Sequence, residues 1–352
     1  MTTNIQKWWQ PDVYLKYSEY RLARMAIFRA VRKWFDTCDF YEVDTPALQI
    51  SPGLEVHLQA FATEFHNPLG DDEQMYLHTS PEFTMKKLLV AGLPRIYQIC
   101  KTYRNEGLSE THQPEFTMLE WYRQGVDYRQ IMMDTEEIVR TAAKVCHATV
   151  LKHGARTCDP FLPWERLSVV EAFQKYADID LMKTVPDEPT LEPNPLLLRR
   201  EAERIGIICT DEDRWEDIFF RIMLNRIEDK LGDGRPTILY DYPTCLGALA
   251  RRKPTDPRFV ERFEAYVCGV ELCNAFSELT DPVEQASRFS YDMDMKEKLY
   301  GNRYPIDADF MAALEYGMPA CAGNAIGMDR LVMLVTGADD IRHVQWAPVA
   351  VG

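Results

Sequence analysis

The stretch from Arg95 to Arg123 constrains the fold of this chain more than any other. Arg95-Ile-Tyr-Gln-Ile-Cys-Lys-Thr-Tyr103 and Glu115-Phe-Thr-Met-Leu-Glu-Trp-Tyr-Arg123 are rich in β-branched and aromatic residues, while the polar segment between them carries the breakers Gly107 and Pro114. The pattern predicts a strand, a longish loop and a second strand. Alternation along the second strand puts Phe116, Met118, Glu120 and Tyr122 on one face. An aromatic plate, a carboxylate and a phenol make that face too polar for plain core. Arg104, Glu106 and His112 stand at the mouth of the loop. A guanidinium can grip a phosphate or carboxylate with two hydrogen bonds, and a carboxylate beside it can accept from an amine. The set suits a ligand with an anionic centre, a flat ring and an ammonium group. An amphipathic hairpin with a salt-bridged loop satisfies the same spacing.

Composition excludes several classes. The chain of 352 residues is long enough for one large or two smaller domains with a substantial core. It carries 40 Lys and Arg against 55 Asp and Glu, a formal charge of −15, which disfavours broad nucleic-acid binding. A local basic patch at Arg251-Arg252-Lys253 remains available. There is no apolar run of membrane-spanning length, and the start around Trp8 and Trp9 does not form a signal peptide. The nine cysteines contain no Cys-x-x-Cys and read as reduced thiols, which predicts a cytoplasmic protein. Cys146, His147, His153 and Cys158 match no common zinc spacing.

Residues 1–17 are too few for a domain and read as an arm ahead of a single domain over 18–352. Ser18 is a candidate N-cap for a helix whose stripe is Tyr20, Ala23, Ile27, Val31 and Trp34. A strand at Phe40–Val43 follows, ending before Pro46. Further on, Ser80-Pro81-Glu82 opens a helix through Met85, Leu88 and Leu89, with Ser80 as cap and Pro81 at its first position. A helix is predicted over 127–150. The segment 151–236 reads as a mostly helical insertion, with a proline-rich run over 185–195 between pieces at 168–177 and 214–230. At Cys268-Gly269 a two-residue turn makes a hairpin in which Tyr266 faces Glu271, with Glu264 as the diagonal neighbour of Glu271. Two carboxylates on one face repel unless a cation sits between them. Glu271, Asn274 and Glu278 also fit helical spacing, but Val267, Gly269 and Val270 argue for strands. Asp281-Pro282-Val283-Glu284 starts another helix. Finally Gly323-Asn-Ala325-Ile-Gly327-Met-Asp329-Arg330 is a small-residue strand feeding a helix whose first turn carries Arg330.

The ungapped run Tyr103-Arg104-Asn105-Glu106, then His112-Gln113-Pro114-Glu115-Phe116-Thr117-Met118-Leu119-Glu120-Trp121-Tyr122, resembles motif 2 of the class II aminoacyl-tRNA synthetases in its lysine-specific version. The first helix, its strand and Pro46 resemble motif 1, and the segment ending at Arg330 resembles motif 3. The resemblance implies an α+β fold, a class II catalytic core of antiparallel sheet flanked by helices, paired as a homodimer through motif 1. It implies ATP and magnesium, with Glu264 and Glu271 as metal ligands and Arg104 and Arg330 as the catalytic cations. Glu106, His112, Gln113, Phe116, Glu271, Leu272 and Gly327 would join both arginines around the nucleotide. Ser80, Glu82 and Glu120 would sit by one substrate amine, Tyr122 and Glu278 would hold the distal ammonium, and Asn274 and Ala325 would complete the pocket.

Lysyl-tRNA synthetases carry a β-barrel anticodon-binding domain ahead of this core, and residues 1–17 are too short to form one. That combination resembles the lysyltransferases that modify elongation factor P, which use ATP to activate (R)-β-lysine or lysine and pass it to a lysine side chain of the factor. Elongation factor P is then the expected acceptor, and tRNA is not. A truncated lysyl-tRNA synthetase acting on tRNA or another amine is the alternative within this chemistry. A non-catalytic synthetase-like subunit is the alternative outside it, and such a subunit need not keep Arg104, Glu264, Glu271 and Arg330 together. Three positions depart from the lysyl-tRNA synthetase pattern: Gln113 replaces Asn, Ala275 replaces Gly, and Ala325 replaces Gly. Ala at the last of these is typical of the elongation factor P enzymes.

Overall fold

The computed structural model describes residues 7–349. An eight-stranded sheet is built from β1 (Tyr41–Glu42), β2 (Arg95–Tyr103), β3 (Glu115–Gln124), β4 (Glu165–Ser168), β5 (Thr237–Pro243), β6 (Phe259–Val267), β7 (Val270–Ser277) and β8 (Cys321–Gly327), in the order β1-β2-β3-β8-β7-β6-β5-β4. Every pairing from β2 to β5 is antiparallel, whereas the edge strands β1 and β4 pair in parallel with β2 and β5. The centre is therefore the antiparallel sheet the sequence predicts, and the parallel edges are an addition to it. β4 comes from the segment 151–236, so that segment supplies a sheet strand as well as the helices Val169–Ala177, Leu196–Arg204 and Trp215–Ile222.

The two faces of the sheet have different fates. Leu119, Trp121, Ala275 and Ile326 pack into one core with the helices Ser18–Thr37, Tyr128–Val145 and Met328–Thr336. Phe35 of the first of these helices stacks on Tyr97 with ring centroids 4.2 Å apart. The opposite face carries Met118, Glu120 and Tyr122. A second apolar cluster around Phe83, Phe289 and Phe310 joins the helices Glu82–Val90, Pro282–Tyr300 and Ala308–Gly317 beside it.

Local chemistry explains most boundaries. Asp281 accepts from the amides of Val283 (2.8 Å) and Glu284 (3.0 Å), capping the helix that Pro282 begins. The cap expected at Ser18 differs: Ser18 is the first helical residue, Tyr17 holds the cap position without a side-chain bond, and a short helix at Pro11–Lys16 precedes it. Cys268 (φ 54°) and Gly269 (φ 73°) form the expected two-residue turn, with positive φ at both positions. Tyr266 opposes Glu271 as expected, but a bulge next to Ala265 shifts the register, so Glu264 lies opposite Asn274. Among the described residues no helix is long and apolar enough to cross a membrane.

Candidate active site

Register alone assembles the floor of the site. Glu264 pairs with Asn274, Asn274 with Ala325, and Ala325 with Glu120, which places these four in one row across β6, β7, β8 and β3. The adjacent row runs Phe276, Gly323, Tyr122. A side chain at Gly323 would run into the Tyr122 ring, so only glycine lets that phenol lie flat over β8.

One cavity is lined by Ser80, Glu82, Glu120, Tyr122, Asn274, Glu278 and Ala325 at one end. Arg104, Glu106, His112, Gln113, Phe116, Glu271, Leu272, Gly327 and Arg330 line the rest of it. Every residue expected from the sequence therefore faces the same space except Glu264.

At the cationic end the Arg104 guanidinium stands 5.3 Å over the Phe116 ring, and its buried Nε has no hydrogen-bond partner. Arg330 is more tightly held: Nη1 donates to the Glu271 carbonyl (2.7 Å), Nε to the Thr111 carbonyl (3.3 Å) and Nη2 to His112 Nε2 (2.7 Å). Burial, then Arg330 and Arg104, push His112 down to about 4, so the imidazole is neutral and can accept from the guanidinium. Its Nδ1 then faces the hydroxyls of Ser109 and Thr111 at 2.7 and 3.1 Å. Beneath Arg330, Asp329 forms a buried ion pair with Arg24 and accepts from the Thr117 amide at 2.7 Å, while Arg24 also donates to Thr117 Oγ1 at 2.9 Å. The first helix, β3 and the Arg330 helix are thereby locked together.

The acidic end is more crowded than the sequence suggests. Glu120 accepts from Ser80 and Tyr122, both at 2.6 Å. Lys86, which the sequence reading did not single out, is fully buried and lies 2.5 Å from both Glu82 and Glu278. Its spacing of four from Glu82 on one helix was the available signal. Glu278 has no other donor. Burial would lower the Lys86 amine, but Glu278 and Glu82 outweigh it and raise it. Burial and neighbouring carboxylates push Glu120 and Glu278 up to about 8 and raise Glu82. This desolvated acidic end is unsaturated with respect to cations. It can accept an ammonium group.

The hairpin carboxylates divide unequally. Glu264 is withdrawn from the cavity: its Oε2 accepts from Tyr242 (2.6 Å) and Tyr266 (2.8 Å), and its Oε1 from Arg262 (2.6 Å). Glu271 faces the cavity, has no side-chain donor among the described residues, and is pushed up to about 7 by burial and by Glu264. Among the described residues no three metal-ligating side chains converge. That donor set fits magnesium, which is bound through one or two carboxylates together with substrate phosphates. Glu271 is the carboxylate free to serve.

This sheet and this cavity belong to a known group. Residues 12–350 match the family of class II tRNA synthetases (D, K and N), and the chain belongs to that family. Within it, the chain is 37% identical over 345 residues to the elongation factor P--(R)-beta-lysine ligase of Vibrio parahaemolyticus, covering 97% of this chain and 98% of that one. The protein of the same name from Photobacterium profundum is 37% identical over 97% of this chain and 98% of its own length. The lysine--tRNA ligase of Magnetococcus marinus is 38% identical over 92% of this chain, and the match spans 62% of that protein.

Proposed function

We propose that this enzyme activates (R)-β-lysine or lysine with ATP and transfers it to a lysine side chain of elongation factor P. One observation carries the chemistry: a single cavity joins an ammonium-seeking cluster at Glu82, Glu120 and Glu278 to the cationic pair Arg104 and Arg330. The near full-length match to elongation factor P ligases supports the acceptor.

In the first step an oxygen of the amino acid carboxylate attacks the α-phosphorus, the bond to the bridging oxygen breaks, and pyrophosphate leaves. Arg104 meets the phosphoryl charge and Arg330 the γ-phosphate end, both positioned before reaction, so catalysis is positioning and electrostatics. Phe116 gives adenine a stacking surface and Glu106 an acceptor for its amino group, with His112, Gln113, Leu272 and Gly327 around the nucleotide. Glu271 would hold magnesium, with Glu264 adding negative charge nearby, and the ion would supply neutralisation of phosphate charge. Ser80, Glu82, Glu120, Tyr122 and Glu278 orient the amines, while Asn274 and Ala325 form the pocket wall. In the second step the neutral acceptor amine attacks the acyl carbon and AMP departs. No side chain need be acylated.

A homodimer through the first helix completes this reading. A groove beside that helix, lined by Met25, Phe28, Ile99 and the exposed Trp346, offers apolar surface for it. The basic patch at 251–253 gives tRNA little help: Arg251 pairs with Glu261, Arg252 with Glu284 and Lys253 with Asp241. Phosphate-driven binding weakens steeply with salt. Purified protein, ATP and labelled lysine or (R)-β-lysine, offered elongation factor P or tRNA at low and high salt, test the assignment. Labelling of one lysine of the factor with little tRNA charging is expected. Efficient, salt-sensitive tRNA charging with the factor unmodified would replace this reading.

A further inference from the structure

We propose that Glu55 is a further specificity-determining residue of this pocket, its carboxylate receiving the amine nearest the substrate's carboxylate. The inference rests on the amino acid activation proposed above and concerns how a diamino acid is told from a monoamino one.

Glu55 lines the main cavity and also the recess beside it, which it shares with Ser80 and Glu82. It is half-buried. Its backbone carbonyl is 3.5 Å from Lys296 Nζ, while its carboxylate has no partner among the described residues. The loop that carries it is fixed. Lys296, itself fully buried, donates to the carbonyls of Val56 (3.0 Å) and Leu58 (2.6 Å), and its Nζ lies 4.6 Å over the Tyr304 ring. Tyr304 in turn accepts from the Ala60 amide at 2.9 Å. Lys296 thus holds the loop in place, and its charge acts on the Glu55 carboxylate without a hydrogen bond between the two side chains.

The position of the loop indicates which amine it meets. Glu55 shares a recess with Ser80 and Glu82, and four residues on, Asn105 donates its amide to the Gln59 carbonyl (2.8 Å) and the Gln59 amide reaches Glu106 Oε1 (3.4 Å), so the loop leads from that recess to the neighbours of Arg104. That is the end of the cavity where the substrate carboxylate must meet the α-phosphorus. The cluster around Lys86 lies deeper, with Glu278 only 1% exposed, and suits the distal ammonium. Glu82 has one oxygen committed to Lys86, and Glu120 has both committed to Ser80 and Tyr122. Glu55 therefore adds an uncommitted carboxylate to Glu82 and Glu120 for an amine on the α or β carbon. A charged hydrogen bond of this kind discriminates against a ligand that lacks the amine, since both ends of the contact must be present for it to contribute.

The test compares wild type with Glu55→Gln by calorimetric binding and by pyrophosphate exchange. The ligands are (R)-β-lysine, lysine and 6-aminohexanoic acid, which keeps only the distal amine. Glu55→Gln is isosteric at a half-exposed loop position, and a thermal melt verifies the fold. We expect binding of both diamino acids to weaken by about tenfold or more, with 6-aminohexanoic acid changed by less than about twofold. Equal weakening of all three ligands, or no weakening of the diamino acids, overturns the role of Glu55 while leaving the activation reading intact. A wild type that binds neither diamino acid overturns that reading and this inference with it.

Discussion

Lys86→Met tests the electrostatic account of the acidic end. Methionine nearly keeps the length and unbranched shape of the side chain but deletes the cation that lies 2.5 Å from both Glu82 and Glu278. Removing one partner of a buried ion pair costs about 3–5 kcal/mol, because the remaining charge stays buried without compensation. The cost must depend on pH. Glu120 and Glu278 sit at about 8 in the fold against an ordinary 4.5, first through burial and then through Glu82, with Glu120 also raising Glu278. Between these limits the folded state binds more protons than the unfolded chain, so stability falls as pH rises through the window. Lys86 pulls both carboxyl groups down. Its loss moves the upper limit higher and steepens the fall. Lys86 itself is raised and stays charged throughout. We expect urea unfolding, followed by tryptophan fluorescence, to show the full loss of about 3–5 kcal/mol near pH 8.5. Near pH 6, where the carboxyl groups can take up protons, the loss should shrink to about 1–2 kcal/mol. An equal loss at both values, or a larger one at the acid side, would refute the reasoning and leave Lys86 as a packing residue.

Two other substitutions address the chemistry. Glu271→Gln should lower magnesium-dependent pyrophosphate exchange by at least about a hundredfold while leaving the unfolding midpoint unchanged, and normal exchange in the folded variant would remove Glu271 from the metal site. Ala325→Gly deletes one methyl between Glu120 and Asn274. A methylene-sized change in a pocket moves discrimination by roughly 1–3 kcal/mol, so the ratio of specificity constants should shift toward lysine over (R)-β-lysine. An unmoved ratio, measured by exchange with each substrate, would show that Ala325 does not shape the pocket.

Much of the sheet was legible because its signals are local. Alternation alone placed Phe116, Met118, Glu120 and Tyr122 on one face, and the cavity uses that face. Positive φ at Cys268 and Gly269 followed from a turn with room for only two residues. The resemblance supplied roles that spacing could not, as for Ser80, read from the sequence as a cap: the cap position falls to Pro81 instead, and Ser80 Oγ accepts from the Glu82 amide (3.2 Å) while donating to Glu120. The edges were less legible: β4 has four residues inside a segment otherwise read as helical, and a strand that short carries too little pattern to stand out. Lys86 and Glu55 escaped for a different reason. Each acts through partners brought together only by the fold: Lys86 also meets Glu278, and the Glu55 loop is held by Lys296, each from a distant part of the chain.

Glu264 shows how far a shared face can be trusted. Two carboxylates on one hairpin face predict a bound cation, and the fold does keep both on that face. The bulge next to Ala265 moves Glu264 opposite Asn274, away from a position beside Glu271, and there it meets Tyr242, Tyr266 and Arg262. Three donors satisfy its oxygens, so it needs no metal as a partner in the interior. Its charge still acts on Glu271, where, second only to burial, it lifts the carboxyl group to about 7. A group poised there releases its proton readily when a cation arrives. The pair thus divides the work between a carboxylate fixed by protein donors and one left open to the cavity, which alternation along two strands could not distinguish.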